Sequence, residues 1–152
     1  MAGASPADEF PSVNLWLLDT GPLVAALNRR DPQHPRCATA LAAFSGSLLT
    51  TGAVVTEAMY FLGGLPDGAV TLAGFLDEAQ VDIRDCFAPA HLRAAAGLMK
   101  KYADTPMDFA DATLVLLADE LGTGDVVTLD ERGFRTYRFR GSRRFNLVPG
   151  RE

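Results

Sequence analysis

Short apolar runs and amphipathic stretches alternate along the chain. A nearly continuous apolar run occurs at LWLLD, and further strand candidates occur at SLLTT, VDIRD, DVVTLD and around residues 145–148. Runs of this length and composition are typical of strands that are buried on both faces of a parallel sheet. Because helical patterns separate these runs, the sequence predicts an α/β fold with a mostly parallel central sheet and helices on both faces.

Cap and breaker residues predict where the helices begin and end. Pro89 is expected to start a helix that runs to about Tyr102, and Gly122 is expected to end a long helix over residues 109–121. Asp130 and the three residues after it also fit a turn that follows the fourth strand. Further helices are predicted over GPLVAALNRR, residues 36–44, VVTEAMYFL and residues 67–79.

Length and composition indicate a single globular domain. The chain has 152 residues, of which 48% are hydrophobic and 22% are charged, as in folded proteins of ordinary size. Residues 1–12 are small, polar and proline-containing, so we expect a flexible N-terminus, a domain over residues 13–149 and a short tail over residues 150–152. The chain has no apolar run of membrane-spanning length and no signal-peptide pattern, which favours a cytoplasmic protein.

Carboxylates lie at the ends of four apolar segments, at Asp19, Glu57, Asp111 and Asp130. Each acid taken alone has a structural explanation as a helix cap, a partner of the helix dipole or a turn residue. As a set they indicate a shared cation, because strand ends and helix starts face one edge of an α/β sheet and clustered carboxylates repel one another. Oxygen ligands favour Mg²⁺ or Mn²⁺. Asp108, three residues before Asp111, is a candidate accessory acid on the same helix face.

A basic segment near the C-terminus is the candidate nucleic-acid contact. Arg132, Arg135 and Arg138 are interleaved with aromatic residues there, and this combination suits a phosphate backbone and stacked bases. The alternative is that the arginines form a solvated rim or a docking surface and that the aromatic residues are core. The alternation of Tyr137 and Phe139 also fits a half-buried edge strand. The net charge of −5 weighs against nucleic-acid binding by bulk electrostatics.

Five motifs resemble a known family. In chain order they are LLDT, TEAMYFL, MDFADATLVLLADELG, VVTLDERGF and RRFNLVP. Over about residues 13–149 the series resembles a PIN domain, and closely the toxin ribonucleases of the VapC type. The resemblance implies a single PIN domain in which Asp19, Glu57, Asp111 and Asp130 are the acidic site residues, with Asp19 and Asp111 as the firmest magnesium ligands.

The same resemblance implies further residues and partners. Thr20 and Thr128 match the hydroxyl residues that accompany such sites, whereas Asp108 is an acid that the family motif does not require. A homodimer and an antitoxin of the VapB type are also implied. The arrangement of the acids leaves open whether one or two metal ions act.

Two functions remain as hypotheses. The first is a Mg²⁺-dependent endoribonuclease that cleaves RNA phosphodiester bonds as the toxin of a VapBC-type pair. The second is a PIN-fold binding module that holds a protein partner without catalysis. A receiver-like domain or phosphatase is disfavoured, because the two lysines, Lys100 and Lys101, lie together on a predicted helix. His34 and His91 fall in a predicted loop and at a predicted helix start, which disfavours a metal-free ribonuclease pair.

Overall fold

Five parallel strands form the central sheet of the computed structural model, which describes residues 14–149. The described residues contain seven strands in all, which are, in chain order, β1 (Leu15–Leu18), β2 (Ser47–Thr51), β3 (Asp82–Arg84), β4 (Asp125–Val127), β5 (Arg138–Phe139), β6 (Arg143–Arg144) and β7 (Asn146–Val148). The central sheet has the order β3-β2-β1-β4-β7, and β5 pairs antiparallel with β6 in a separate two-stranded sheet. The predicted α/β class with a mostly parallel sheet is confirmed. The predicted flexible N-terminus and tail lie outside the described residues.

Seven helices connect the strands within residues 14–149. They are α1 (Thr20–Leu27), α2 (His34–Ala43), α3 (Gly52–Leu62), α4 (Gly68–Glu78), α5 (Pro89–Lys101), α6 (Phe109–Leu121) and α7 (Glu131–Thr136). Helix α6 has the bounds that the sequence predicted, and Gly122 ends it in a left-handed conformation at φ 69°. Helix α2 begins two residues earlier than predicted, because Pro35 is accommodated in its first turn. No helix in this part of the chain is long and apolar enough to cross a membrane.

Strand β1 lies where the order of the sheet reverses. Leu17 is in register with Leu49 of β2 on one side and with Val126 of β4 on the other. Leu17 and Leu18 have no exposed surface, as expected for the central strand of a covered parallel sheet. In α/β sheets the crevice outside the carboxyl ends of the strands at such a reversal is the usual ligand position. A ligand site is therefore expected at the carboxyl end of β1.

Helix α6 is a rigid support beside this position. Most of its residues are buried, and Leu114 and Val115 have no exposed surface. The helix packs against α5 and α3. Full burial of one aliphatic side chain of this size contributes about 1.5 to 3 kcal/mol, so the helix is held firmly along its length. Its first turn, which carries Asp111, is fixed by the same packing.

The segment after β4 differs from the sequence-based prediction. The predicted turn at Asp130 is instead the N-cap of α7. The predicted edge strand around Tyr137 and Phe139 is reduced to the short β5, which pairs only with β6. The structural reason is that the aromatic rings of this segment turn inward and pack on one another, with Tyr137 fully buried and Phe139 almost so. The interpretation of these aromatic residues as core is thus confirmed.

Candidate active site

Asp19 is held at the junction of β1 and α1. Its backbone N–H donates to the Val127 carbonyl at 3.0 Å, so the ends of β1 and β4 meet here. The carboxylate is buried and accepts two hydrogen bonds. The Thr20 backbone N–H donates to Oδ1 at 2.8 Å, and the Thr128 hydroxyl donates to Oδ2 at 2.7 Å. Asp19 therefore caps α1 and is oriented from β4 at the same time.

Asp108 and Asp111 form a reciprocal cap at the start of α6. The Asp111 N–H donates to Asp108 Oδ1 at 2.8 Å, and the Asp108 N–H donates to Asp111 Oδ2 at 3.2 Å. This is a capping box with aspartate at its last position. The sequence placed both acids on one helix face, but Asp108 is the N-cap and lies just outside the helix. Its contact with Asp111 shows what the extra acid does, because it fixes the buried Asp111 side chain.

Asp130 is connected to Asp19 through one hydroxyl group. The Asp130 N–H donates to Thr128 Oγ1 at 3.0 Å, while the same hydroxyl donates to Asp19. Asp130 Oδ1 accepts from the Gly133 N–H at 3.0 Å and so caps α7. A Cβ atom at Gly133 would lie 2.2 Å from Asp130 Oδ2, so a side chain at this position would displace the carboxylate. Sequence reasoning treated Gly133 only as part of a turn and missed this role.

Burial and mutual repulsion disfavour the charged forms of these acids. Burial, the largest cause, and the charges of Asp108 and Asp130 raise the pKa of Asp19 to about 6, against the hydrogen bond from Thr128. Burial and then the charge of Asp19 raise the pKa of Asp111 to about 8. The pKa of Glu57 is raised mainly by burial, with the charge of Asp108 added. The acids are thus near enough to act on one another, and each would be stabilised by a cation.

The donor set fits a hard cation in part. Within residues 14–149 no three His, Cys, Asp or Glu side chains are arranged as a complete metal site. Mg²⁺, however, usually keeps several waters and uses one or two protein carboxylates. Asp19 and Asp111 offer such a pair. Thr20 adds a buried hydroxyl next to Asp19, and this hydroxyl lies close enough to the Glu57 carboxylate to favour its charged form.

The predicted arginine contacts differ in their surroundings. Arg132 is exposed, and Arg135 pairs with Glu131 at 3.6 Å. Nη1 of Arg138 donates to the carbonyls of Arg135, Thr136 and Tyr137, which end α7, at distances of 2.7 to 3.0 Å. Two of the three guanidinium groups are therefore engaged with the protein itself.

An aromatic groove adjoins the acids. We use this name for the cavity of about 620 Å³ that Tyr60, Phe61 and Phe87 line together with Glu57 and Asp108. Tyr60 is 81% exposed, Phe61 is 56% exposed and Phe87 is 51% exposed. Exposed aromatic residues in such a group mark an interaction surface.

The fold and the site define an α/β domain with an acidic site at the carboxyl edge of its sheet. The chain belongs to the PIN domain family, whose model matches residues 16–140. It is 29% identical over 136 residues to Ribonuclease VapC26 of Mycobacterium tuberculosis, a match that covers 88% of this chain and 99% of the relative. The recognition of a VapC-type PIN domain from the sequence motifs is confirmed.

A solved structure supports the fold. The crystal structure of the Mycobacterium tuberculosis toxin VapC20, described as cleaving the sarcin-ricin loop, superposes with a TM-score of 0.68. The sequences are 19% identical, and the match covers 76% of this chain and 90% of that one. At this identity the comparison speaks for the architecture alone.

Proposed function

We propose that this protein is a metal-dependent endoribonuclease and the toxin of a VapBC-type toxin–antitoxin pair. The observation that carries the proposal is the pair of buried carboxylates Asp19 and Asp111, each with a pKa raised by burial and by its neighbours' charges. Perturbed acids in a crevice are typical of functional sites. The likeness to a ribonuclease over nearly the whole chain gives the site its chemistry.

In this proposal Asp19 and Asp111 hold Mg²⁺ or Mn²⁺, with Glu57 and Asp130 beside them. When bound, such an ion would supply Lewis-acid stabilisation of the phosphate and activation of water. Thr128 fixes the orientation of Asp19, and Asp108 fixes that of Asp111. Glu57 is only partly buried and has a raised pKa, so it suits the reception of a proton from the attacking water.

A titration of RNA cleavage with Mg²⁺ and Mn²⁺ tests the proposal. Wild type is compared with Asp19→Asn and Asp111→Asn, because asparagine keeps the hydrogen-bond acceptor of each cap and removes the charge. Asp104→Asn, at an exposed acid outside the cluster, is the matched control. We expect metal-dependent cleavage by wild type and by the control and a loss of at least about 100-fold in the two site variants, with circular dichroism unchanged. Cleavage by the site variants at the wild-type rate would contradict the proposal.

A binding module without catalysis is the second candidate. The observation that favours it is that the side chains of the described residues do not form a complete metal site. In that case purified protein cleaves no RNA with either metal, and the site variants still bind the protein partner. The same titration therefore separates the two functions.

The aromatic groove suggests how an antitoxin of the VapB type acts. An arginine from the antitoxin is proposed to pair with carboxylates of the site. Apolar residues of the antitoxin are proposed to cover Tyr60, Phe61 and Phe87. A synthetic peptide with one arginine among leucines should inhibit cleavage by wild type. The same peptide with glutamine in place of arginine, or the variant Phe61→Ser, should show much weaker inhibition. Equal inhibition in all three cases would remove this explanation.

Assembly, location and RNA contacts complete the proposal. We propose a homodimer that acts on RNA in the cytoplasm, which light scattering of the purified protein and cell fractionation would test. Arg132 and Arg135 are proposed to contact the RNA backbone because they are exposed. Arg138 is proposed with them, although its Nη1 already caps α7. Arg132→Gln should make the slope of log K for RNA binding against log salt concentration less steep, by about the amount expected for one phosphate contact.

A further inference from the structure

The hydroxyl group of Tyr137 is bonded to the segment that leads into α6. Tyr137 is fully buried, and its Oη donates to the Pro106 carbonyl at 3.1 Å. Pro106 lies two residues before Asp108, the N-cap of α6. The hydrogen bond thus ties the start of α6 to the end of α7, across 31 positions of the chain.

A second tyrosine, Tyr102, uses its hydroxyl oxygen as a hydrogen-bond acceptor. Tyr102 ends α5, and its Oη accepts from the Arg138 N–H at 3.1 Å. The rings of Tyr102 and Tyr137 pack edge to face with centroids 5.1 Å apart. The two side chains are therefore alike in ring packing but differ in what the hydroxyl holds. Tyr102 holds the start of β5, whereas Tyr137 holds the approach to α6.

The Tyr137 hydroxyl also lies close to the Asp130 carboxylate. A Cβ atom built on Gly133 would be 2.9 Å from Tyr137 Oη and 2.2 Å from Asp130 Oδ2, so both oxygens border the same small space. Burial, the largest cause, and the charges of Asp111 and Asp130 raise the pKa of the Tyr137 phenol. The hydroxyl accordingly stays protonated and can donate a hydrogen bond at neutral pH.

We propose that Tyr137 is a positioning residue of the acidic site, whose hydroxyl fixes the distance between Asp130, the N-cap of α7, and Asp111 on α6 by holding the Pro106 carbonyl. This inference rests on the proposed function for its catalytic consequence. Its structural part, that the hydroxyl holds the cap of α6 in place, stands without any metal. Ligands that must meet one cation need support of this kind, because small displacements weaken both binding and catalysis.

The substitution Tyr137→Phe removes only the hydroxyl group and keeps the ring packing. Tyr102→Phe is the matched control, since it makes the same change in the partner ring. The first measurement is amide hydrogen exchange by NMR without metal. We expect exchange at Asp108 and Asp111 to become about five- to tenfold faster in Tyr137→Phe, the size expected for the loss of one hydrogen bond. Tyr102→Phe should change it by less than about twofold.

The second measurement is Mn²⁺ binding by calorimetry together with cleavage kinetics. Tyr137→Phe should raise the Kd for Mn²⁺ and lower kcat, each by about five- to tenfold, with the KM for RNA unchanged. Tyr102→Phe should leave all three near wild type. Unchanged exchange at Asp108 and Asp111, or equal effects in the two variants, would overturn the proposal. If wild type neither binds Mn²⁺ nor cleaves RNA, the proposed function fails, and the exchange measurement still decides the role of Tyr137.

Discussion

Thr128 and Asp19 are joined by a hydrogen bond of 2.7 Å between positions 109 residues apart in the chain. The Thr128 hydroxyl uses its only proton on Asp19 Oδ2 and accepts the Asp130 N–H with its oxygen. One side chain on the end of β4 therefore orients an acid of β1 and the backbone of another acid. The direction of the hydrogen bond from Thr128 to Asp19 is fixed, because a hydroxyl group has only one proton to donate.

Replacement of Thr128 should impair activity more than stability. Thr128→Val keeps the shape of the side chain but leaves Asp19 Oδ2 without its donor. We expect metal affinity and kcat/KM to fall by about 10- to 100-fold, the usual effect of losing the partner of a metal ligand. Thr128→Ser retains the hydroxyl and should stay within about threefold of wild type. If valine and serine act alike, the hydrogen bond has no part in the activity.

The stability of the metal-free protein should depend on pH in a defined direction. The pKa of Asp19 rises from 3.8 to about 6 on folding and that of Asp111 from 3.8 to about 8. The folded state holds these protons more tightly, so their stabilising contribution is complete below pH about 4 and is lost as the pH rises to about 8. We expect the free energy of unfolding to fall over this window.

The variant Asp111→Asn isolates this effect. It removes one buried charge, so in a chelator at pH 8 it should be more stable than wild type by about 1 to 3 kcal/mol. Urea unfolding at a series of pH values measures the gap, which should narrow towards pH 4. Saturating Mn²⁺ should stabilise wild type and not the variant. A gap that is independent of pH would show that Asp111 is not the titrating group.

Gly133 should tolerate no side chain. Gly133→Ala places a methyl group 2.2 Å from Asp130 Oδ2, so α7 or the carboxylate must move. We expect a loss of about 1 to 3 kcal/mol in stability, as for other overpacked sites, together with reduced cleavage. Gly97→Ala is the control: this glycine lies in α5 with no atom within 4 Å of the added Cβ, and alanine there should stabilise by up to about 1 kcal/mol. Thermal melting distinguishes the two.

The cap of α6 offers a separate test of Asp108. Asp108→Ala removes the acceptor for the Asp111 N–H, which should cost about 1 kcal/mol and should also release the Asp111 side chain. Asp108→Asn retains an acceptor and should keep most of the stability and activity. If asparagine is as inactive as alanine, the charge of Asp108 matters and the acid takes part in metal binding directly.

The sequence was sufficient for the elements whose signals are local. The run SLLTT is β2, and the helix from Phe109 to Leu121 has the predicted bounds, since apolar periodicity and a terminal glycine lie within the segment itself. The pairing of β1 with β4 could not be predicted, because the register between strands about 100 residues apart leaves no local signal in either strand. The PIN resemblance came from motifs, and the family match bears it out.

The parts that sequence reasoning missed depend on shared chemistry. Asp130 accepts a backbone N–H in a turn and in a helix cap alike, so the six-residue α7 was not distinguished from a turn. The capping box of α6 had a local signal, an acid three residues after Asp108, which resembles the usual pattern except that aspartate replaces glutamate or glutamine. The engagement of Arg138 with three carbonyls had none. Whether a side chain can reach the carbonyls of neighbouring residues depends on the backbone conformation at that point, which composition does not reveal.

Three acids of the site, Asp19, Asp108 and Asp130, each begin a helix. These carboxylates belong to the proposed site and are also the N-caps of α1, α6 and α7, so the same residues serve the site and the folding of the helices. At Asp19, a change to asparagine is expected to remove the first role and to keep the second, because asparagine is also a good N-cap. We therefore expect that one substitution can abolish the proposed ribonuclease activity while the protein still folds. If the proposed function holds, such an inactive variant would still bind the antitoxin and, in a cell that contains both forms, would compete with the active protein for it.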